Sequence, residues 1–233
     1  MYQIIFDVFK NYYVTSIKFF KLIIFMNIGI LGTKLGMTQI FDESGLAIPV
    51  TIIKAGPCRV TQIKTVDIDG YNALQIGYLE TQSKLLNKPE MGHLQKTGSP
   101  ALKHLKEYRV DSTDTTSIGS LLSVDLFSVG DKLAITGKTI GKGFAGTVKR
   151  HNFTRGPMTH GSKNHREPGS IGMGTTPGRV YPGKRMAGRL GGKQTTIKNL
   201  QVVLINSENN LLVVKGAIPG KLGNILSIKK VSK

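Results

Sequence analysis

The chain has no tryptophan, one cysteine and few acids. A single cysteine, Cys58, excludes an internal disulfide and leaves nothing for a cysteine-based zinc site, which fits a reducing compartment. The role expected of it is that of a small buried apolar residue. With aromatics at only 7%, stacking of bases on aromatic platforms is not expected to be the main mode of any nucleic-acid contact, and phosphate contacts should dominate. The scarcity of acids is the most informative lack: 14 Asp and Glu face 32 Lys and Arg, for a net charge of +18. Such a charge opposes compaction unless an anionic partner offsets it. Nucleic acid is the first candidate. A membrane surface ranks behind it, because that role normally uses a basic amphipathic helix, and these basic residues lie in stretches rich in Gly and Pro.

At 233 residues and 39% apolar content, the chain is long enough for one sizeable domain or two small ones with a real core. Residues 1–25 differ from the rest. They are apolar and aromatic, with Lys10, Lys18 and Lys21 interrupting every stretch long enough to span a bilayer, and they offer neither a small-residue cleavage site nor the Arg and Ser of a transit peptide. The expectation is an atypical extension, with the natural chain starting at Met26.

From Met26 onward, short runs rich in Ile, Val, Thr and aromatics alternate with turn residues. Strands are expected at Asn27–Leu31, Met37–Phe41, Ala47–Lys54, Arg59–Thr65 and Ala73–Tyr78. Turns are expected at Asp42–Gly45, at Ala55–Pro57 and at the hairpin signal Asp69–Gly70. This regular spacing predicts a mainly β protein built on a closed or nearly closed antiparallel barrel. Residues 81–116 read as a polar insertion, in which Pro100–Tyr108 has helical composition and a proline suited to a first turn. Strand signals return at Asp131–Thr136, Leu200–Asn206, Leu211–Lys215 and Ile225–Lys229. The globular domain is therefore expected from 26–136 and 199–233, flanking a distinct segment at 137–198.

That segment holds 13 Lys or Arg against the single acid Glu167, with 14 Gly and four Pro. So few large apolar residues cannot build a core, so free in water the segment is expected to be mobile, at least at its tip. An ordinary solvated face would mix charges of both signs. Here glycine lets backbone N–H groups approach phosphate while Lys142, Lys149, Arg150, Arg155, Lys163, Arg166, Arg179, Lys184, Arg185, Arg189 and Lys193 neutralise it. His151, His160 and His165 join them as phosphate or base contacts. Their spacing fits no compact zinc template, so no metal is assigned.

Two glycine motifs invite an enzymatic reading and fail on context. Gly141-Lys-Gly-Phe-Ala-Gly146 matches a dinucleotide fingerprint, yet Thr147–Arg166 contains no acid for the ribose. Gly178–Arg185 approaches a P-loop, but Arg185 stands where a magnesium-binding Ser or Thr belongs, and Pro182 removes a backbone donor. No catalytic residue, cofactor or small-molecule substrate is assigned.

Asn27–Asp42, Gly141–Phe153, His160–Arg166, Pro168–Gly172, Thr176–Arg179, Gly183–Gly188 and Asn210–Gly220, taken together and in order, strongly resemble the bacterial-type large-subunit ribosomal protein three family over essentially all of 26–233. The resemblance implies a six-stranded barrel of the translation-protein type and a long extension reaching through ribosomal RNA toward the peptidyl-transferase centre. It further implies a structural role in the large ribosomal subunit, with direct binding of large-subunit RNA early in assembly and contacts to neighbouring ribosomal proteins. Met173 and Thr175 stand where some relatives carry glutamines, one of them methylated, so that modification is not carried over. The absence of the additions found in eukaryotic cytosolic relatives points to a bacterial or organellar ribosome. The Ile, Phe, Tyr, Lys and Asn bias of residues 1–25 suits an AT-rich plastid genome. The competing readings are a general nucleic-acid-compacting protein and a nucleotide-binding enzyme.

Overall fold

The computed structural model describes residues 28–111 and 116–231. Residues 1–25, and with them the expectation about Met26, lie outside those residues. The chain divides into two units, one running up to Lys138 and resuming at Thr195, the other comprising Thr139–Gln194.

The protein is mainly β. The first unit begins with β1 (Gly29–Phe41), β2 (Ala47–Ala55), β3 (Cys58–Lys64), the one-turn α1 (Val66–Asp69), β4 (Ala73–Glu80), α2 (Lys88–Gln95), β5 (Leu102–Arg109), β6 (Leu121–Leu122) and β7 (Lys132–Lys138). The second unit contains β8 (Phe144–Ala145), α3 (Thr147–His151) and β9 (Gly188–Arg189). Strand β10 (Gln194–Asn206) leads back into the first unit, which ends with β11 (Leu211–Lys215) and β12 (Ile225–Lys230).

Six strands are hydrogen-bonded in the order β1, β12, β7, β10, β11, β2. β1 pairs antiparallel with β2 as well as with β12, through Gly32 opposite Ala55 on one side and Gly29 opposite Lys229 on the other. A second antiparallel sheet has the order β5, β4, β3, β6. Strands β3 and β4, expected in the same sheet as β1 and β2, belong to this second sheet. Their patterning is unable to reveal the difference, because period-two alternation specifies a half-buried strand and not its neighbour.

Both sheets feed one core. Ile30, Ile53, Leu133, Ile135, Leu212, Leu226 and Ile228 from the six-stranded sheet pack with Val60, Leu74, Ile76, Tyr78, Tyr108 and Leu122 from the other, all buried. Each such aliphatic side chain contributes about 1.5–3 kcal/mol relative to leaving it in water. Tyr108 is a cross-tie between the layers: its hydroxyl lies 2.7 Å from Ser227 Oγ on β12 and 3.3 Å from the Ile30 carbonyl on β1. Its ring occupies the space a Cβ on Gly29 would need, since such an atom would fall 2.4 Å from Tyr108 Cε1. Glycine at position 29 is therefore a packing requirement.

The predicted helix at Pro100–Tyr108 is instead β5, paired with β4 through Tyr108 opposite Leu74. The composition is helical but the burial alternates: Leu102, His104, Lys106 and Tyr108 turn inward, while Lys103, Leu105, Glu107 and Arg109 are exposed. Two-residue alternation, with a tyrosine locked between layers, overrides helical propensity. The helix of this region lies one element earlier. It is α2, which carries Pro89 in its first turn, and there the Glu90 carboxylate accepts a hydrogen bond from the Asn87 N–H at 3.0 Å.

The turn signals fall where expected. Gly45, between β1 and β2, has φ 78°, and Gly70 closes α1 in the left-handed conformation so that β3 and β4 can pair. Cys58 is fully buried, and burial pushes its thiol up to about 12. Two outcomes are expected. Alkylation of Cys58 at neutral pH is negligible in the native protein and proceeds only as fast as the fold opens. Ile228→Ala lowers unfolding free energy by about 2–5 kcal/mol in a denaturant titration.

Candidate nucleic-acid interface

Within Thr139–Gln194 the stem is held by backbone pairing. Thr139 N–H donates to the Lys193 carbonyl and Gly192 N–H returns to the Thr139 carbonyl; further along, Lys142 N–H donates to Leu190 and Leu190 N–H to Gly143. β8 and β9 continue the ladder with Phe144 opposite Arg189. Gly191 makes the stem possible. It sits at φ 69°, and a Cβ there would fall 2.0 Å from the Ile140 carbonyl oxygen. A second close approach holds the distal loop, where Gly156 N–H donates to the His165 carbonyl at 3.1 Å.

Packing contributes little. Only Ala145 and Thr147 are buried in this whole unit. The unit keeps its shape through main-chain bonds and glycine geometry, and its side chains are left facing outward.

The sequence-selected cations are consequently accessible. Lys142, Lys149, Arg155, His160, Lys163, Arg166, Arg179, Lys184, Arg185, Arg189 and Lys193 are all exposed. Arg150, His151 and His165 are half-buried and also serve the segment itself. Arg150 Nη1 donates to the Met186 carbonyl at 2.6 Å, and His151 Nε2 lies 3.0 Å from the same oxygen. His165 Nδ1 lies 3.0 Å from the Pro157 carbonyl. A carbonyl only accepts, so in both rings the named nitrogen carries the proton. This leaves His165 Nε2 as the free nitrogen. Arg150 still has further N–H donors for an outside partner, but one of them is a structural clip between α3 and the chain before β9.

Among the described residues the molecule's ion pairs are Lys64 with Glu107 at 3.0 Å and Lys230 with Asp131 at 2.8 Å. Neither lies in this unit. Its positive charge has no internal counter-charge at contact distance, a constellation suited to binding polyanion and unsuited to a solvated surface of mixed sign.

The nucleotide readings fail on geometry as well as composition. In the Gly141–Gly146 motif backbone groups are committed to the stem: the Lys142 N–H donates to the Leu190 carbonyl, and the Gly143 carbonyl accepts from the Leu190 N–H. α3 spans only five residues, and β7 pairs antiparallel with β12, so the parallel strand–helix–strand frame of a dinucleotide site is missing. Gly178–Arg185 lies in turns, with neither a strand before it nor a helix after it. Sequence reasoning also passed over two exposed aromatic rings of this unit, Phe144 at 82% and Tyr181 at 53% exposure. Phe144 stands opposite Arg189, and both rings offer stacking faces. The low aromatic total concealed them, because a total carries no positions.

A family model described as Ribosomal protein L3 matches residues 80–211. A "Large ribosomal subunit protein uL3c" of Guillardia theta is 65% identical over 204 residues, covering 88% of this chain and all of that protein. A "Large ribosomal subunit protein uL3" of a Synechococcus strain is 65% identical over 203 residues, covering 87% and 95% of the two chains. The protein of the same description in Trichormus variabilis is 61% identical over 211 residues, covering 89% and 100%. The chain belongs to the ribosomal protein L3 family.

Glycines required by the segment's own geometry should separate from those that are not. Gly191→Ala is expected to abolish hydrogen-exchange protection of the Lys142 and Leu190 amides, since a side chain there meets both a carbonyl and an unfavourable φ, costing about 1–3 kcal/mol. Gly174→Ala, where a Cβ meets nothing within 4 Å, is expected to leave the same amides protected.

Proposed function

We propose that Thr139–Gln194 binds large-subunit ribosomal RNA directly and that the protein is a structural constituent of the large ribosomal subunit, in a plastid or a bacterium. As a member of this family the chain is a structural ribosomal component and not an enzyme. The observation that carries the RNA reading is electrostatic: exposed cations on a glycine-rich backbone with no ion pair among them. RNA phosphate completes that arrangement, and release of the counterions condensed on RNA contributes a salt-dependent share of the binding free energy.

The finer roles follow from the same reading. The six-stranded order β1, β12, β7, β10, β11, β2 serves as the closed barrel of the translation-protein type, and residues 137–198 serve as the RNA-penetrating extension. The contacts are assigned to Lys142, Lys149, Arg150, His151, Arg155, His160, Lys163, His165, Arg166, Arg179, Lys184, Arg185, Arg189 and Lys193. Phe144 and Tyr181 add stacking faces. Ordering of this segment by RNA fits a protein that joins early, folds RNA around itself and supports the surroundings of the peptidyl-transferase centre beside other large-subunit proteins.

Two measurements test this. Arg166→Ala, Arg179→Ala and Arg185→Ala together are expected to leave the core folded and to reduce the salt dependence of binding to large-subunit RNA by about one unit of slope per lost phosphate contact. A preserved slope overturns the assignment. Competition at fixed salt between structured RNA and duplex DNA is expected to favour RNA, because shape and the 2′-hydroxyl are read as well as charge. Equal affinities point to a general compacting protein instead.

A further inference from the structure

Lys34 is a buried cation without an anion. It lies on β1, and among the described residues the ion pairs do not include it. A lysine in such a place loses the water around its ammonium group and needs protein acceptors in exchange. One loop supplies them. Lys34 Nζ donates to the Ile218 carbonyl at 3.0 Å and to the Gly220 carbonyl at 3.1 Å. The Lys34 main chain donates to the Asn224 carbonyl and accepts from the Gly223 N–H. The register of β1 against β2 shifts between Lys34 and Gly36. An irregularity of this kind re-aims side chains, and here Lys34 is buried while Leu35 beside it is exposed.

The clamped loop, residues 216–224, in turn holds the end of β7. Asn224 Nδ2 donates to the Lys138 carbonyl at 3.1 Å. Pro219 lies so close to Gly137 that a Cβ there would fall 3.1 Å from Pro219 Cγ, and a Cβ on Gly220 would collide with the Asn224 carboxamide. That carboxamide therefore has little room to turn away from Lys138. Lys138 is the last residue of β7, and Thr139 is the first of the glycine-rich unit. Contacts thus run without a break from the Lys34 ammonium group, through two loop carbonyls and one side-chain amide, to the residue from which that unit departs.

We propose that Lys34 is a positioning residue for RNA binding: its charge orders loop 216–224, and the loop orders Lys138, so that the glycine-rich segment starts from a fixed residue. This rests on the RNA-binding reading above, and Lys34 itself touches no RNA. An apolar side chain of similar length would fill the space at a lower desolvation cost. It would also leave the Ile218 and Gly220 carbonyls without their donor, and the loop would be driven to turn them toward water. A loosened starting residue adds an ordering cost to every binding event while removing no phosphate contact.

The signature is a loss of affinity without a loss of salt dependence. In the full-length chain, Lys34→Met and Asn224→Ala are each expected to weaken binding of large-subunit RNA by about three- to tenfold, at a temperature where parent and variants are folded. The slope against salt is expected to stay at the parental value. The double variant is expected to bind no more weakly than Lys34→Met alone, because both changes act through one run of contacts. A folded Lys34→Met variant with parental affinity overturns the proposal, since the lysine then only supports the fold. A lowered slope overturns it too, because the lysine or its loop then meets phosphate directly, and so does a double variant whose losses multiply. Should Lys34→Met fail to fold, Asn224→Ala carries the test: parental affinity overturns the proposal, and weaker binding at an unchanged slope supports it. The Arg166, Arg179 and Arg185 triple variant is the reference. If it lowers the slope while the single variants keep parental affinity, only the positioning role fails; if it leaves the slope unchanged, the RNA reading itself fails.

Discussion

Uncompensated positive charge on a backbone that cannot collapse is the constraint from which the rest of this structure follows. Between Thr139 and Gln194 one acid, Glu167, faces a run of lysines and arginines, and only Ala145 and Thr147 escape solvent. Such a segment has no hydrophobic term with which to offset chain entropy. What order it has comes from main-chain hydrogen bonds and from close approaches open only to glycine. Those devices hold shape without consuming charge, and this is why the cations remain available to a partner.

The other unit solves the opposite problem. Two antiparallel sheets bury a shared aliphatic core, and its buried lysine is satisfied locally: Lys34, though only 7% exposed, donates to the carbonyls of Ile218 and Gly220 at 3.0 and 3.1 Å. Its surface lysines 64 and 230 carry acidic partners. Lys106 and Lys229 stand instead at 5.7 and 4.9 Å from the centroid of the Tyr108 ring.

Charge composition, acid scarcity and glycine density are properties of the chain in one dimension, so the location and polarity of the glycine-rich cationic segment are legible in the amino-acid order alone. β11 and the core of β12 are equally legible, because Leu211–Lys215 and Ile225–Lys229 are compact β-branched and aliphatic runs. Pro100–Tyr108 is not, because its lysine, leucine and glutamate favour a helix in isolation and a cross-sheet tyrosine makes them a strand. Arg150, His151 and His165 are legible only in part: they read as free contacts, and they also close the segment on carbonyls of Met186 and Pro157.

What the sequence by itself determined is therefore where the positive charge collects and the class of partner such charge suits, since net charge and side-chain bulk survive any folding. Which strands are neighbours, which cations are spent internally, and where two lysines from opposite halves of the chain come to share one aromatic ring were decided only by the tertiary structure. Those outcomes depend on long-range register, and a period of two along a strand carries no information about the strand beside it.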